Sequence, residues 1–267
     1  MPWRLAALLL AIPFQAAAQS APVVVDLTYS GYKDGLRVLT AQSEMTLSDR
    51  GYRIGFSGHT TGVIGFFYHA HWQTWADGMW TKRGVLPLHF DNEGVFGGNA
   101  RSVALKFANG DPMVQVLSPP DDGEQTPVPP GLTRNAIDSL SVTALLVRQM
   151  ATLGTCGGDV RVFDGRSVTD MAIRRGGGDY LGPTPRSGWS GPTLRCDLYA
   201  HVVAGFFRED SPQAHDFVDQ VWLATVLPGV PALPVRMTAT THHLGRIILY
   251  LTTATRRDVA AQSAKVR

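Results

Sequence analysis

Residues 136–153 constrain this chain more than any other stretch, because they alone hold helical periodicity where nearly everything else alternates like β-strand. On a helical projection Ile137, Leu140, Ala144, Val147 and Ala151 form one apolar stripe, and Val142, Leu146, Met150 and Leu153 a second. Ser141, Arg148 and Thr152 share a narrow polar edge. A helix with two apolar stripes needs cover on both sides, as in the hollow of a curved sheet. Asn135 or Asp138 can cap its start, and Gly154 can end it. The expected fold is mainly β: a strongly curved antiparallel sheet, an open barrel or β-spiral, wrapped around one central helix.

The strands expected on either side support that choice. Val23–Ser30, Leu36–Leu47, Val85–Phe90 and Ser102–Phe107 read as strands separated by short polar turns, and no crossover helices interrupt them. The pattern is that of an antiparallel meander. An aromatic strand is expected over Phe66–Trp75, with a turn at Ala76-Asp77-Gly78. A polar, proline-rich linker covers residues 119–135, and its Asp121, Asp122 and Glu124 lack the spacing of a calcium loop. Residues 175–192, rich in Gly, Pro and Ser, read as a flexible loop, and residues 255–267 as a loose tail.

At the start, Arg4, the apolar run Leu5–Phe14 and the small residues Ala16-Ala17-Ala18 make a cleavable signal peptide of residues 1–18. The run is short of the ~20 apolar residues that span a bilayer. No cysteine follows the cleavage site, so a lipoprotein anchor is not expected. The expected mature protein is one β-rich domain over residues 19–254, exported to the periplasm, with no transmembrane segment. Lys plus Arg number 24 against 22 Asp plus Glu, a balance that gives no reason to invoke nucleic acid. Cys156 and Cys196 are the only two cysteines, and an even pair in an oxidising compartment reads as a disulfide.

Several pieces then fall in a recognisable order. They are Gly84-Val85-Leu86-Pro87-Leu88-His89-Phe90, Arg101-Ser102-Val103-Ala104-Leu105-Lys106-Phe107, Asp138-Ser139-Leu140-Ser141, Val162-Phe163-Asp164-Gly165-Arg166, Val221-Trp222-Leu223-Ala224 and Leu233-Pro234-Val235-Arg236-Met237. In this order the chain resembles the exported bacterial domain-of-unknown-function family numbered 3108. The resemblance implies an exported β-rich protein and supplies no catalytic residues, activity or cofactor.

Two readings of the chemistry compete. If Phe66–Trp75 is a strand, Phe66, Tyr68 and Trp72 share one face and Phe67, His69, His71 and Trp75 the other. Phe66, Tyr68, Trp72 and Trp75 are therefore candidate ligand-binding residues for a hydrophobic small molecule. His69 and His71 are spaced to reach one zinc ion, with His59, His89 or His201 available as a third ligand. The first reading is a non-catalytic binding or scaffold protein of the cell envelope, its partner an unknown envelope component or hydrophobic ligand and with no cofactor. The second is a zinc-dependent hydrolase. No Gly-x-Ser-x-Gly motif or paired carboxylates favour other hydrolytic chemistry.

Overall fold

The computed structural model describes residues 21–82, 84–120, 123–242 and 244–257. The signal peptide and most of the expected tail lie outside the described residues. The first half of the chain is strand after strand: β1 (Val23–Lys33), β2 (Leu36–Leu47), β3 (Gly51–Thr60), β4 (Ala70–Trp80), β5 (Val85–Phe96), β6 (Asn99–Ala108) and β7 (Asp111–Ser118). A short helix α1 (Gly62–Phe67) interrupts it between β3 and β4. A two-residue strand β8 (Ala136–Ile137) precedes the long helix α2 (Ser139–Leu153). The second half contains β9 (Gly158–Phe163), β10 (Val168–Leu181), β11 (Gly191–Ala204), β12 (Asp216–Ala224), β13 (Leu233–Thr241) and β14 (Gly245–Arg257).

All fourteen strands belong to one sheet, running from β7 back through β1, then to β14 and back through β8. Neighbours pair antiparallel throughout, except β8 with β9, which is parallel because α2 forms the crossover between them. The sheet curls into a nearly closed barrel. Its edge strands β7 and β8 approach each other, and the Asn135 N–H donates to Asp111 Oδ1 across the seam (2.8 Å). Side chains close what backbone pairing leaves open. Val103, Leu105 and Phe107 of β6 pack with Phe163 of β9, Val168 of β10 and Ala204 of β11. At the tip of the β9–β10 turn Gly165 has φ 96°, and a Cβ there would run into the Val103 side chain.

Alternation along the strands sorts the interior from the surface. In β2 Leu39, Ala41, Met45 and Leu47 are buried while Gln42 and Glu44 are exposed. The main core joins these residues to β1, β3, β11–β14 and the helix. Inside it Tyr29 donates to the Pro234 carbonyl oxygen (2.9 Å), which gives its buried hydroxyl a partner.

Helix α2 forms where the apolar period placed it, but its orientation departs from the expected one. Asp138, not Asn135, is the cap, and its carboxylate accepts from the Ser141 N–H (2.8 Å). Gly154 ends the helix in the left-handed conformation (φ 64°). Ser141, expected on a polar edge, is fully buried. Its hydroxyl donates to Asp138 Oδ2 (2.5 Å) and lies 2.5 Å from the Tyr52 hydroxyl, so the polar group is satisfied inside the core. Val142, Ala144, Leu145, Leu146 and Val147 are buried, whereas Ala151 and Leu153 are exposed and Met150 is half-buried. The last turn of both stripes thus projects beyond the core. Leu145 packs against Gly84, and the Arg148 guanidinium lies over the Trp80 ring (5.4 Å). These contacts place α2 against the ends of β3, β4 and β5 nearest the 48–51 and 81–84 turns.

Three further expectations need correction. Phe66 and Phe67 are helical, not part of a strand that runs to Trp75. Gly62 takes φ 63°, the Thr61 N–H is held by the Val38 carbonyl, and Gly65 fits against the Thr60 carbonyl where no side chain could. These local glycines override the β preference of the aromatics. Ala76-Asp77-Gly78 is not a turn either: β4 continues through a bulge there, and Gly78 is needed for its close approach to the Tyr52 ring. Residues 175–181 and 191–192, expected in a flexible loop, extend the β10–β11 hairpin, with a bulge at Gly176. The remaining connection is pinned to β14 by the Gly188 N–H, which donates to the Leu251 carbonyl (2.8 Å).

Cys156, just past α2, and Cys196 of β11 form a disulfide with Cα atoms 6.2 Å apart. The cross-link ties the helix exit to a strand two places into the sheet, passing over β10. Gln149 supports the same corner: its side chain both donates to the Gly157 carbonyl (2.8 Å) and accepts from the Gly157 N–H (3.1 Å).

Candidate functional site

The strand ends away from α2 line a half-open chamber of about 480 Å³. That is within the ~300–1,000 Å³ usual for small-molecule sites. One side of it is apolar: Leu39 of β2, Phe56 of β3, Trp72 of β4, and Ile247 and Leu249 of β14. The other side is polar and comes from β6, Gln125 and the β9–β10 turn, with Arg101, Ser102, Asp164, Arg166 and Ser167.

Trp72 shows how the local sequence shapes the apolar wall. Its register partners on both neighbouring strands are glycines, Gly58 on β3 and Gly94 on β5. A Cβ at position 58 would lie 2.5 Å from the indole, so the ring occupies space that only glycine leaves. Phe96 stacks beside it, ring centroids 6.0 Å apart.

The polar wall is held by its own contacts. Arg101 pairs with Glu124 (2.6 Å), and Arg166 donates to the Pro119 carbonyl (2.7 Å). Asp164 accepts from the Arg166 and Ser167 N–H groups (2.8 and 2.7 Å) and from the Ser167 hydroxyl (2.9 Å), which fixes the turn. Tyr68 faces this side: burial raises its phenol pKa, and the nearby Arg101 charge offsets part of the rise. Residues 124–126 of the linker pack against the 206–208 segment. Gln125 bridges to Phe207, and the Thr126 N–H donates to the Phe206 carbonyl (2.8 Å). At the rim His242 stacks on Phe207 (3.7 Å between centroids, 6° between planes) and contacts Glu209 (2.8 Å) and Asp210 (3.2 Å).

Of the four aromatic candidates, Tyr68 and Trp72 line the chamber. Phe66 is 78% exposed on α1, because that segment is helical and outside the strand alternation. Trp75 follows Trp72 by three residues on β4 and so faces outward, where the Arg53 guanidinium covers its ring (4.7 Å). His69 precedes β4 and His71 lies on its outer face, both exposed on either side of the buried Ala70. His71 is the register partner of His59, whereas His89 and His201 contact Asp77 (3.1 Å) and Asp216 (2.7 Å). Among the described residues no three His, Cys, Asp or Glu side chains are grouped to hold a metal ion. No helix among them is long and apolar enough to cross a membrane.

Sequence reasoning missed Arg101, Arg166, His242 and most of the apolar wall, which come from strands far apart in the chain. The signal available was the pair Gly58 and Gly94, which mark where a bulky neighbour needs room.

No curated protein matches the chain. A solved structure, the β-barrel-like protein of domain of unknown function DUF1849 from Brucella abortus, is similar in fold over 89% of this chain and 98% of its own, with 11% identity and a TM-score of 0.49. The family described as "Protein of unknown function (DUF3108)" matches residues 25–250, from β1 to within β14. With nearly the whole barrel inside that match, the chain belongs to the DUF3108 family.

Proposed function

We propose that this protein is a non-catalytic binding protein of the cell envelope, exported to the periplasm, which holds a hydrophobic ligand in the barrel chamber. The observation that carries the reading is the division of the interior. One end is packed with buried residues of α2, and the other keeps about 480 Å³ walled by Trp72, Phe56 and Leu249. An apolar body such as an acyl chain, leaving water for such a wall, gains ~25 cal/mol per Å² buried. The leader read at residues 1–18 and the Cys156–Cys196 disulfide support an oxidising compartment.

Nile red, a neutral polarity-sensitive dye, tests the reading. The purified protein should enhance its fluorescence, hexadecanol should displace it, and Trp72→Ala should weaken hexadecanol by about tenfold, the effect of losing one large aromatic contact. Absence of dye and hexadecanol binding to folded protein would refute the reading.

A further inference from the structure

Beside the chamber stands an apolar tip that the chamber itself does not use. On α1, Val63, Phe66 and Phe67 are spaced three and four residues apart and so share one face. Phe66 and Phe67 are 78% and 79% exposed, the most of any large apolar side chain among the described residues. Their rings meet edge to face, centroids 5.2 Å apart. The other side of the same turn is anchored, with Ile64 packed on the main core and Gly65 against the Thr60 carbonyl. Because α1 lies on the start of β2, with Gly62 against the Arg37 carbonyl, the exposed Leu36 joins this surface. From Ile54 to Ala76 the sequence has no Asp, Glu, Lys or Arg. Cations flank the tip instead. Arg37 donates to the Thr40 hydroxyl (2.9 Å), and the Arg186 guanidinium covers the Tyr32 ring (5.0 Å) beside Gly35. Among the described residues neither arginine is paired with a carboxylate. The carboxylates of the neighbouring turns are engaged: Asp34 contacts Lys33 (3.5 Å), and Glu209 and Asp210 contact His242.

We infer that α1 is a membrane-docking tip: Phe66, Phe67, Val63 and Leu36 enter the interfacial layer of a bilayer whose anionic head groups meet Arg37 and Arg186. Four apolar side chains fall far short of the ~20–30 residues a side that a stable protein interface uses. A bilayer sets no such minimum, because a protruding apolar point with cations behind it gains from both the acyl boundary and the surface charge. Thr60 before α1 and Tyr68 after it line the chamber, so docking sets the chamber beside the lipid surface. The inference goes beyond the hydrophobic-ligand reading and stands without it, on the exposure and charge of the tip alone.

Vesicle flotation of the purified protein tests it. Vesicles of phosphatidylcholine with about a quarter phosphatidylglycerol should carry the protein, and pure phosphatidylcholine should bind it at least about tenfold more weakly, the share of two surface arginines. Phe66→Ser with Phe67→Ser should weaken binding to the anionic vesicles by at least about tenfold. Arg37→Gln with Arg186→Gln should make anionic and neutral vesicles bind alike. Tyr180→Ser, which removes an exposed aromatic at the far end of β10, should float as the wild type does. Every substituted side chain is exposed, so the fold should be kept. Wild-type protein that floats with neither vesicle overturns the inference and leaves the hydrophobic-ligand reading untouched, as does a double phenylalanine variant that floats unchanged. Equal flotation of the wild type with both vesicles overturns the part given to the arginines. A dimer in sedimentation velocity that the phenylalanine variant makes monomeric, with no flotation, would assign the tip to a second copy of the chain instead.

Discussion

The two ends of the barrel are built from the same strands and filled in opposite ways. At the end holding α2, Leu146 is 1% exposed and Tyr52, Ser141 and Asp138 form a buried hydrogen-bonded chain. At the other end Leu39 and Leu249 are as well shielded from solvent, yet they face a chamber. Burial from water and contact with packed neighbours are therefore different quantities here. The first gives both ends their hydrophobic stabilisation; only the second gives the helix end its dispersion and its rigidity. Equal truncations at the two ends should not cost the same.

The largest expected difference is at the helix exit. Replacing Cys156 and Cys196 together by Ser should cost on the order of 4 kcal/mol, given their separation of 40 residues. Urea unfolding of the oxidised and double-variant proteins checks it. A loss below about 1 kcal/mol would mean that the bridge adds little to what Gln149 already holds at that corner.

Leu146→Ala should cost about 2–5 kcal/mol, the usual range for a close-packed core leucine. Leu39→Ala, equally shielded but facing the chamber, should cost less than ~2 kcal/mol, because fewer packed atoms are lost and the cavity already exists. Similar losses in the two would erase the distinction between the ends.

The buried carboxyl at the head of α2 predicts a pH dependence. Desolvation by burial raises the Asp138 pKa to about 6, an effect that the hydrogen bonds from Ser141 only partly oppose. A folded-state pKa above the unfolded value means that the folded protein binds more protons across the interval between them. The contribution of Asp138 to stability is therefore fully present below pH ~4 and lost as pH rises through about 6, on the order of 3 kcal/mol in all. Asp170, whose pKa is lowered by its hydrogen bonds from Arg161, contributes with the opposite sign, so the whole-protein profile does not isolate the effect. The difference between the wild type and Asp138→Asn does. The variant should gain relative to the wild type as pH climbs from 4 to 7, and a difference that is flat with pH would contradict the assignment.

The smallest expected effect concerns Gly58. Ala at this position should leave global stability within about 2 kcal/mol but push the Trp72 ring into the chamber. A shift in Trp72 fluorescence and weaker hexadecanol binding would register it. Unchanged dye and hexadecanol affinities would show that Trp72 does not shape the apolar wall.

Much of this architecture was legible before any coordinates. Alternation placed most strands, the lone helical period placed α2, and an even pair of cysteines indicated the disulfide. What escaped the sequence had physical reasons. Ser141 looked like a surface residue because nothing local reveals that Tyr52, far away in the chain, would supply its partner. The Phe66–Trp75 stretch read as strand because its β propensity hides two glycines that permit a helical turn. Of the four aromatic candidates Phe66 lies on α1 and Trp75 on the β4 face opposite Trp72, as its spacing requires, while Tyr68 and Trp72 line the chamber. The polar wall was invisible because Arg101 and Arg166 reach one chamber only when the β9–β10 turn crosses to β6.

A crystal structure of the protein saturated with a terminally brominated palmitic acid tests the account most directly. The account predicts anomalous density between Trp72 and Leu249, and α2 unmoved with Tyr52, Ser141 and Asp138 still joined. Bromine located on the outer face of the barrel, or lodged where Leu146 now packs with α2 displaced, would contradict it.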